Sequence, residues 1–266
     1  MRLTISHVTS YNYDQPVPYA LQQLRLTPKT TPAQKVVDWR IEVSGGTKEL
    51  SFEDAHRNTV TLIGYEPGAT AVSIRCSGEV ELSQTHGVVG AHGGFMPLWM
   101  FDRTTARTRP GPLVRKLVQG LDPDLEPLPR LHALMGAVHG AIEYVPGASH
   151  VDTTAEEALA EGRGVCQDHA HAFIAAARAM GVPARYVSGY LMLTDRVEQD
   201  ATHAWAEAHV PGLGWVGFDA ANDVCPDTTY VRVATGLDYA EAAPVSGMRF
   251  GAAGEKLSVQ VQVQQQ

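Results

Sequence analysis

The sequence predicts an α+β protein in two parts: an antiparallel β-sandwich over residues 1–105, then helices and a β-hairpin over residues 106–266. Three observations point there. Short β-branched runs broken by turn residues fill the first hundred positions. A proline-rich change of composition separates them from the rest of the chain. Beyond it, a segment of helical period precedes two stretches of strict alternation. At 266 residues the chain is long enough for two domains of ordinary size.

Taken in order, Arg2–Thr9 alternates polar and apolar, and the β-rich runs Val36–Val43, Thr59–Ile63 and Ala71–Leu82 come after it. Gly45-Gly46, Pro67-Gly68 and Gly87 supply turns between them. Prolines 110, 112, 123, 127 and 129 then flank a short helical run, Leu113–Val118. Apolar residues at Leu131, Leu134, Met135, Val138 and Ile142 keep helical spacing up to a turn at Tyr144–Gly147. Thr154 is placed to cap a helix over Ala155–Ala160, with Glu156 and Glu157 in the first turn, where the helix dipole favours negative charge. The low-complexity tail from about Gly251 reads as frayed, although its alternation suits an edge strand.

Charge excludes some partners. Against 21 Lys and Arg stand 29 Asp and Glu, a net charge of −8, which gives no electrostatic footprint for nucleic acid or an anionic membrane. No run approaches the length of a membrane span, and the alternating start lacks the apolar core of a secretion signal. Cys76, Cys166 and Cys225 are an odd number without a C-x-x-C pair. They suit a reducing cytoplasm better than a disulfide framework or a thiolate zinc site.

One cysteine stands apart. In Gly162–Gly181 the apolar positions Cys166, Ala170, Phe173, Ile174, Ala177 and Met180 recur on one helical face, and Gly181 with Pro183 stops the helix. Cys166 therefore sits in the first turn, where the dipole and unpaired N–H groups favour a thiolate and can stabilise an oxyanion. The bland reading, a small buried hydrophobe, stands beside it. Cys76, on a strand, and Cys225, beside Pro226, read as structural.

A nucleophilic thiol needs a base, and the base an orienting partner. His203–Val210 alternates, with His203, Trp205, Glu207 and His209 on one face, and Trp215, Gly217 and Asp219 share a face in the next segment. A three-residue loop at Pro211–Leu213 would set Asp219 diagonal to His203 on the same side; an even loop would separate them. The spacing permits a Cys166–His203–Asp219 row without proving it. Alternatively His203 is a structural group beside Trp205, and Asp219 a turn-former before Asn222. His169 and His171 come soon after Cys166, but no second thiolate and no H-E-x-x-H spacing joins them, so no metal or cofactor is expected. Gln167 and Asp168 read as cap and dipole residues, with a part in orienting substrate left open.

These segments resemble the transglutaminase-like superfamily. The likeness rests on Gly162-x-Gly164-x-Cys166-Gln167-Asp168 through Gly181-x-Pro183-Ala184-Arg185, on His203-Ala204-Trp205-Ala206-Glu207, and on Gly214-Trp215 with Phe218-Asp219. His7-Val8-Thr9-x-Tyr11-x-Tyr13 and Leu24-Arg25-Leu26-x-Pro28 are similar to the β-rich domain that precedes this core in bacterial members. Gln22-Gln23 stand where that domain usually carries a histidine, a departure outside the core. The resemblance covers most of residues 1–225 and implies a papain-like core, helices packed on an antiparallel sheet. It further implies that Cys166 is the nucleophile, His203 the base and Asp219 its orienting acid, in acyl transfer at a peptide, isopeptide or glutamine carboxamide. Water would resolve the thioester in a protease or amidase, an amine in a transglutaminase, and bacterial relatives tilt the expectation towards hydrolysis. The Cys166 N–H and Tyr144 are the candidate oxyanion donors. The rival reading is a non-catalytic scaffold of the same fold that binds peptides.

Overall fold

The computed structural model describes residues 1–251 and 254–266. The chain opens with β1 (Arg2–Val17), β2 (Tyr19–Leu24), β3 (Gln34–Ser44), β4 (Gly46–Glu53), β5 (Thr59–Tyr65), β6 (Ala69–Leu82) and β7 (Val88–Gly90). Next come α1 (Pro112–Gln119), α2 (Pro127–Ala141), β8 (Glu143–Tyr144), α3 (Ala155–Glu161), β9 (Arg163–Gly164) and α4 (Cys166–Ala179). Beyond these lie β10 (Ala184–Leu191), β11 (Glu198–Gln199), β12 (His203–Val210), β13 (Gly214–Phe218) and β14 (Tyr230–Gly236). The last elements are α5 (Tyr239–Ala242), β15 (Val245–Phe250) and β16 (Glu255–Gln265).

A five-stranded sheet ordered β11-β16-β1-β6-β3 faces a four-stranded one ordered β15-β2-β5-β4. Their shared core joins Tyr11, Tyr13 and Ile74 of the large sheet to Ala20, Leu24 and Ile63 of the small one. Alternation along β1 explains how one strand serves two cores. Its inward residues Leu3, Ile5, His7, Thr9, Tyr11 and Tyr13 are all buried. Tyr11 and Tyr13 pack into the sandwich, whereas Leu3 and Ile5 pack on Tyr190, Val231 and Val233 of the second unit.

The second unit is the sheet β14-β10-β12-β13-β7 with helices against one face. Every residue of α4 from Asp168 to Arg178 is buried. Alanines permit this: Ala172, Ala175 and Ala176 of the helix share a core with Ala204, Ala206 and Ala208 of β12. Small side chains on both sides let helix and strand approach closely, and a larger residue at any of these positions would force them apart.

The division at residue 105/106 is not a division in space. β7, from the first part of the chain, pairs with β13 in the second unit (Val88 opposite Val216). Conversely the tail is no frayed appendage of the second unit. β15 pairs with β2, and β16 pairs with β1 over its full length from Glu255 to Gln265. Of the expected tail, Ala252 and Ala253 lie outside the described residues. Alternation decides the outcome, because Val261 and Val263 point inward and are buried at 1 % exposure each, while the glutamines face outward. The strand lies between β1 and the two-residue β11, not at a bare edge.

Candidate active site

The segment before α4 is shaped by two glycines. α3 begins with a capping box, Thr154 Oγ1 accepting from Glu157 N–H (3.2 Å) and the Glu157 carboxylate accepting from Thr154 N–H (2.9 Å), a device that stabilises a helix by about 1 kcal/mol. It ends at Gly162, whose φ of +65° a residue with a Cβ rarely adopts. At Gly164 the constraint is space: a Cβ would stand 2.7 Å from Asp168 Oδ2. That oxygen folds back to accept the Val165 N–H at 2.7 Å and the Ser149 hydroxyl. Asp168 thus holds the entry to α4, and Cys166 is the helix's first residue, half-buried and with its thiol free.

His203 and Asp219 come from the β12–β13 hairpin. Val210 faces Gly214 and Ala206 faces Phe218 across the three-residue loop, the register that keeps His203 and Asp219 on one side. His203 Nε2 donates to Asp219 Oδ2 at 2.6 Å. The same oxygen accepts from Asn222 Nδ2 (2.7 Å) and the Tyr230 hydroxyl (2.8 Å), and Oδ1 accepts from the Ala221 N–H (3.1 Å). Burial would raise this carboxyl, but the hydrogen bond and charge of His203, then Asn222 and Tyr230, hold it below the usual carboxylate range. Asp219 is at once the turn-former and the partner of His203.

With Nε2 on Asp219, the other ring nitrogen of His203 is left for the Cys166 thiol, which is near enough to raise the imidazole's pKa. Trp205 lies stacked on the imidazole with centroids 6.2 Å apart, and Tyr230 stands 5.9 Å away on a tilted plane. Tyr230 also meets Trp205 edge-on at 5.4 Å. The ring therefore has one orientation. Burial would depress its pKa; the hydrogen bond it donates to Asp219, the proximity of Cys166 and the charge of both outweigh that and push it up to about 10. The imidazole is held as a cation through neutral pH, the partner a thiolate needs.

The other cysteines lack this setting. Cys76 is fully buried against the His7 carbonyl (3.7 Å) and the Tyr190 hydroxyl (3.8 Å), and burial pushes its thiol up to about 12. Burial raises Cys225 as well. Iodoacetamide at mildly acidic pH is therefore expected to label Cys166 well before Cys76, as peptide mass mapping would show; equal, slow labelling would count against an ion pair at Cys166.

The parallel bridge of β8 with β9, Tyr144 opposite Gly164, brings Tyr144 beside the start of α4. Burial and then the charges of Cys166 and Asp219 raise its phenol. His169 and His171 are engaged elsewhere. The two nitrogens of His169 lie 2.9 Å from the Val165 and Ile142 carbonyl oxygens. His171 accepts the Tyr239 N–H at 3.2 Å, and burial pushes it down to about 3. Among the described residues no group of three His, Cys, Asp or Glu side chains is placed to hold a metal. Gln167 reaches out to the Val151 carbonyl. Sequence reasoning missed Tyr230 and the second duty of Asn222. Asn222 stood in the expected turn, whereas Tyr230 arrives on β14 with no local signal.

Comparison with known proteins gives a consistent picture. Residues 112–220 match the family model described as the transglutaminase-like superfamily, and residues 3–81 that of the bacterial transglutaminase-like N-terminal region. The solved structure of a "Putative Cysteine Protease" from Cytophaga hutchinsonii superposes with a TM-score of 0.79, covering 100 % of this chain and 91 % of that one at 22 % identity, a likeness of fold. An uncharacterized protein of Mycobacterium leprae is 29 % identical over 275 residues, 98 % of each chain. A protein-glutamine gamma-glutamyltransferase of Pseudomonas aeruginosa is 33 % identical over 105 residues, 33 % of this chain and 15 % of that one.

Proposed function

The chain belongs to the transglutaminase-like superfamily, and from that premise we propose that it is a thiol-dependent acyl-transfer enzyme in which Cys166 is the nucleophile, His203 the base and acid, and Asp219 its orienting carboxylate. The observation that carries this reading is the imidazole of His203, hydrogen bonded through Nε2 to Asp219 and near enough to Cys166 for that thiol to raise its pKa.

The Cys166 sulfur attacks the carbonyl carbon of a peptide, isopeptide or glutamine side-chain amide, forming a C–S bond as the carbonyl π pair moves onto oxygen. The Cys166 N–H at the helix start and the Tyr144 hydroxyl are the donors available to that oxyanion. When the C–N bond breaks, the proton on His203 goes to the departing amine or ammonia, and a thioester remains. His203 then takes a proton from water, or from a primary amine, as that oxygen or nitrogen attacks the thioester and the sulfur leaves with its electron pair. Asp219, fixed by four donors, supports the imidazolium throughout. We assign hydrolysis of a peptide or protein substrate as the main outcome and, because all three thiols are free, a reducing cytoplasm as its setting.

The test incubates the protein with a glutamine peptide, with and without a primary amine, and separates products by mass. Free acid is expected in both samples and amine adduct only as a minor species, with neither formed by Cys166→Ala. Dominant adduct would reassign the enzyme as a transferase. No product from a broad peptide set would leave a peptide-binding scaffold.

A further inference from the structure

Alternation along β12 turns Ala204, Ala206 and Ala208 towards α4, so Trp205 and Glu207 face the other way, towards the sandwich. A cavity of about 390 Å³ opens there, at the seam between the two units, and its lining includes Lys29, His56, Arg57, Arg185 and Arg232, with Glu53 as its carboxylate.

The charges around this cavity do not balance. Glu207, fully buried, takes Arg185 Nε and Arg232 Nε at 2.6 Å each. The Lys29 ammonium donates to the His56 carbonyl oxygen (2.7 Å) and Thr235 Oγ1 (2.9 Å), both neutral acceptors. An ammonium has a third N–H to give, and among the described residues no carboxylate stands within ion-pair distance of Lys29. The nearby acids are already engaged, Asp54 by Arg25 (3.3 Å) and Glu241 by His56 (2.7 Å). At the rim, exposed Arg57 and Glu53 pair at 3.6 Å. Inside, three cations share one carboxylate. Shielded charge left without a counter-charge is costly, and burial together with Arg232 and Arg185 pushes the Lys29 ammonium well below its ordinary value. Arg185 is pre-positioned besides, its guanidinium 3.8 Å from the Trp215 ring centroid.

We propose that this cavity binds a small oxyanion, a phosphate or carboxylate group, held by Lys29, Arg185 and Arg232. Such a ligand supplies the missing negative charge, offers acceptors to the third Lys29 N–H and to the guanidinium N–H groups that Glu207 leaves free, and ties the sandwich to the core sheet. The site is separate from Cys166: Glu207 lies four residues along β12 from His203, roughly 13 Å at strand rise.

Thermal unfolding of the full chain with inorganic phosphate or citrate, each against sodium chloride at matched ionic strength, tests this without recourse to activity. A saturable rise is expected, roughly 5 °C when the anion exceeds its Kd a hundredfold. The better binder of the two assigns the group as phosphate or carboxylate. Lys29→Met is expected to abolish the rise. Arg57→Glu, at the exposed rim, is expected to weaken binding roughly tenfold through repulsion there. No saturable rise with either anion at matched ionic strength, or unchanged affinity in Arg57→Glu, would overturn the assignment. Cys166→Ala is expected to bind the anion as the native chain does, so failure of the proposed catalysis and failure of this site are told apart.

Discussion

Cys166→Ala is expected to lower turnover on the order of 10⁴-fold or more while leaving the unfolding midpoint almost unchanged. The thiol sits half-buried at the first residue of α4, so losing one sulfur removes little packing. Every covalent step is lost with it. His203→Ala should cost a comparable factor, and the double variant little more than either single one, because residues that act as a unit are not additive. Asp219→Asn is expected to cost about 10²- to 10⁴-fold, since the amide mis-orients the imidazole and fails to support its charge. A spectroscopic signature separates this reading from a structural one. Two of the influences that raise His203 to about 10 come from Cys166, its proximity and its charge. In Cys166→Ala both vanish while burial remains, so the His203 ring protons should titrate at distinctly lower pH in NMR. Retained turnover, or a His203 titration that ignores the substitution, would refute the proposed row.

How much of the fold and site is legible in the sequence depends on whether the deciding interaction is local. The α4 face, its stop at Gly181 and the cap at Thr154 come from spacings of three and four residues, and the structure has them at Cys166–Ala179 and Ala155–Glu161. The hairpin is legible for the same reason, because loop parity alone puts His203 and Asp219 on one side. β2 and β4 give no such signal. In β4 every residue after Gly46 is exposed, so no buried face imposes alternation on its sequence. The pairing of β16 with β1 joins opposite ends of the chain, and only the partner strand explains why those valines are buried. Tyr230 belongs to the same class. It reaches Asp219 because β14 lies beside β10, a neighbour relation of the whole sheet.

Glu207→Ala is expected to destabilise the protein by about 3–5 kcal/mol. The side chain is wholly buried between Arg185 and Arg232, with Nε of each at 2.6 Å and Arg232 Nη2 at 3.1 Å. Truncation leaves two guanidinium groups facing each other in a shielded seam with no counter-charge. Removing the whole cluster by Glu207→Leu with Arg185→Met and Arg232→Met should be far milder, since an apolar set of similar volume owes no desolvation. Acid supplies an independent check. Burial would raise the Glu207 carboxyl, but Arg185 and Arg232 prevail and hold it at about 2 against an ordinary 4.5. A group depressed on folding stabilises fully above its unfolded value and loses that contribution as pH falls through the folded one. Native stability should therefore drop between about pH 4.5 and 2, and Glu207→Gln should flatten that part of the profile in urea titrations. A midpoint shift of less than about 1 kcal/mol in Glu207→Ala would mean that water already screens the seam, as at an exposed pair. That result would also remove the charge imbalance on which the anion site rests. If the seam is dry, phosphate should restore part of the stability that Glu207→Ala loses, because the cations left behind then have only the ligand to face.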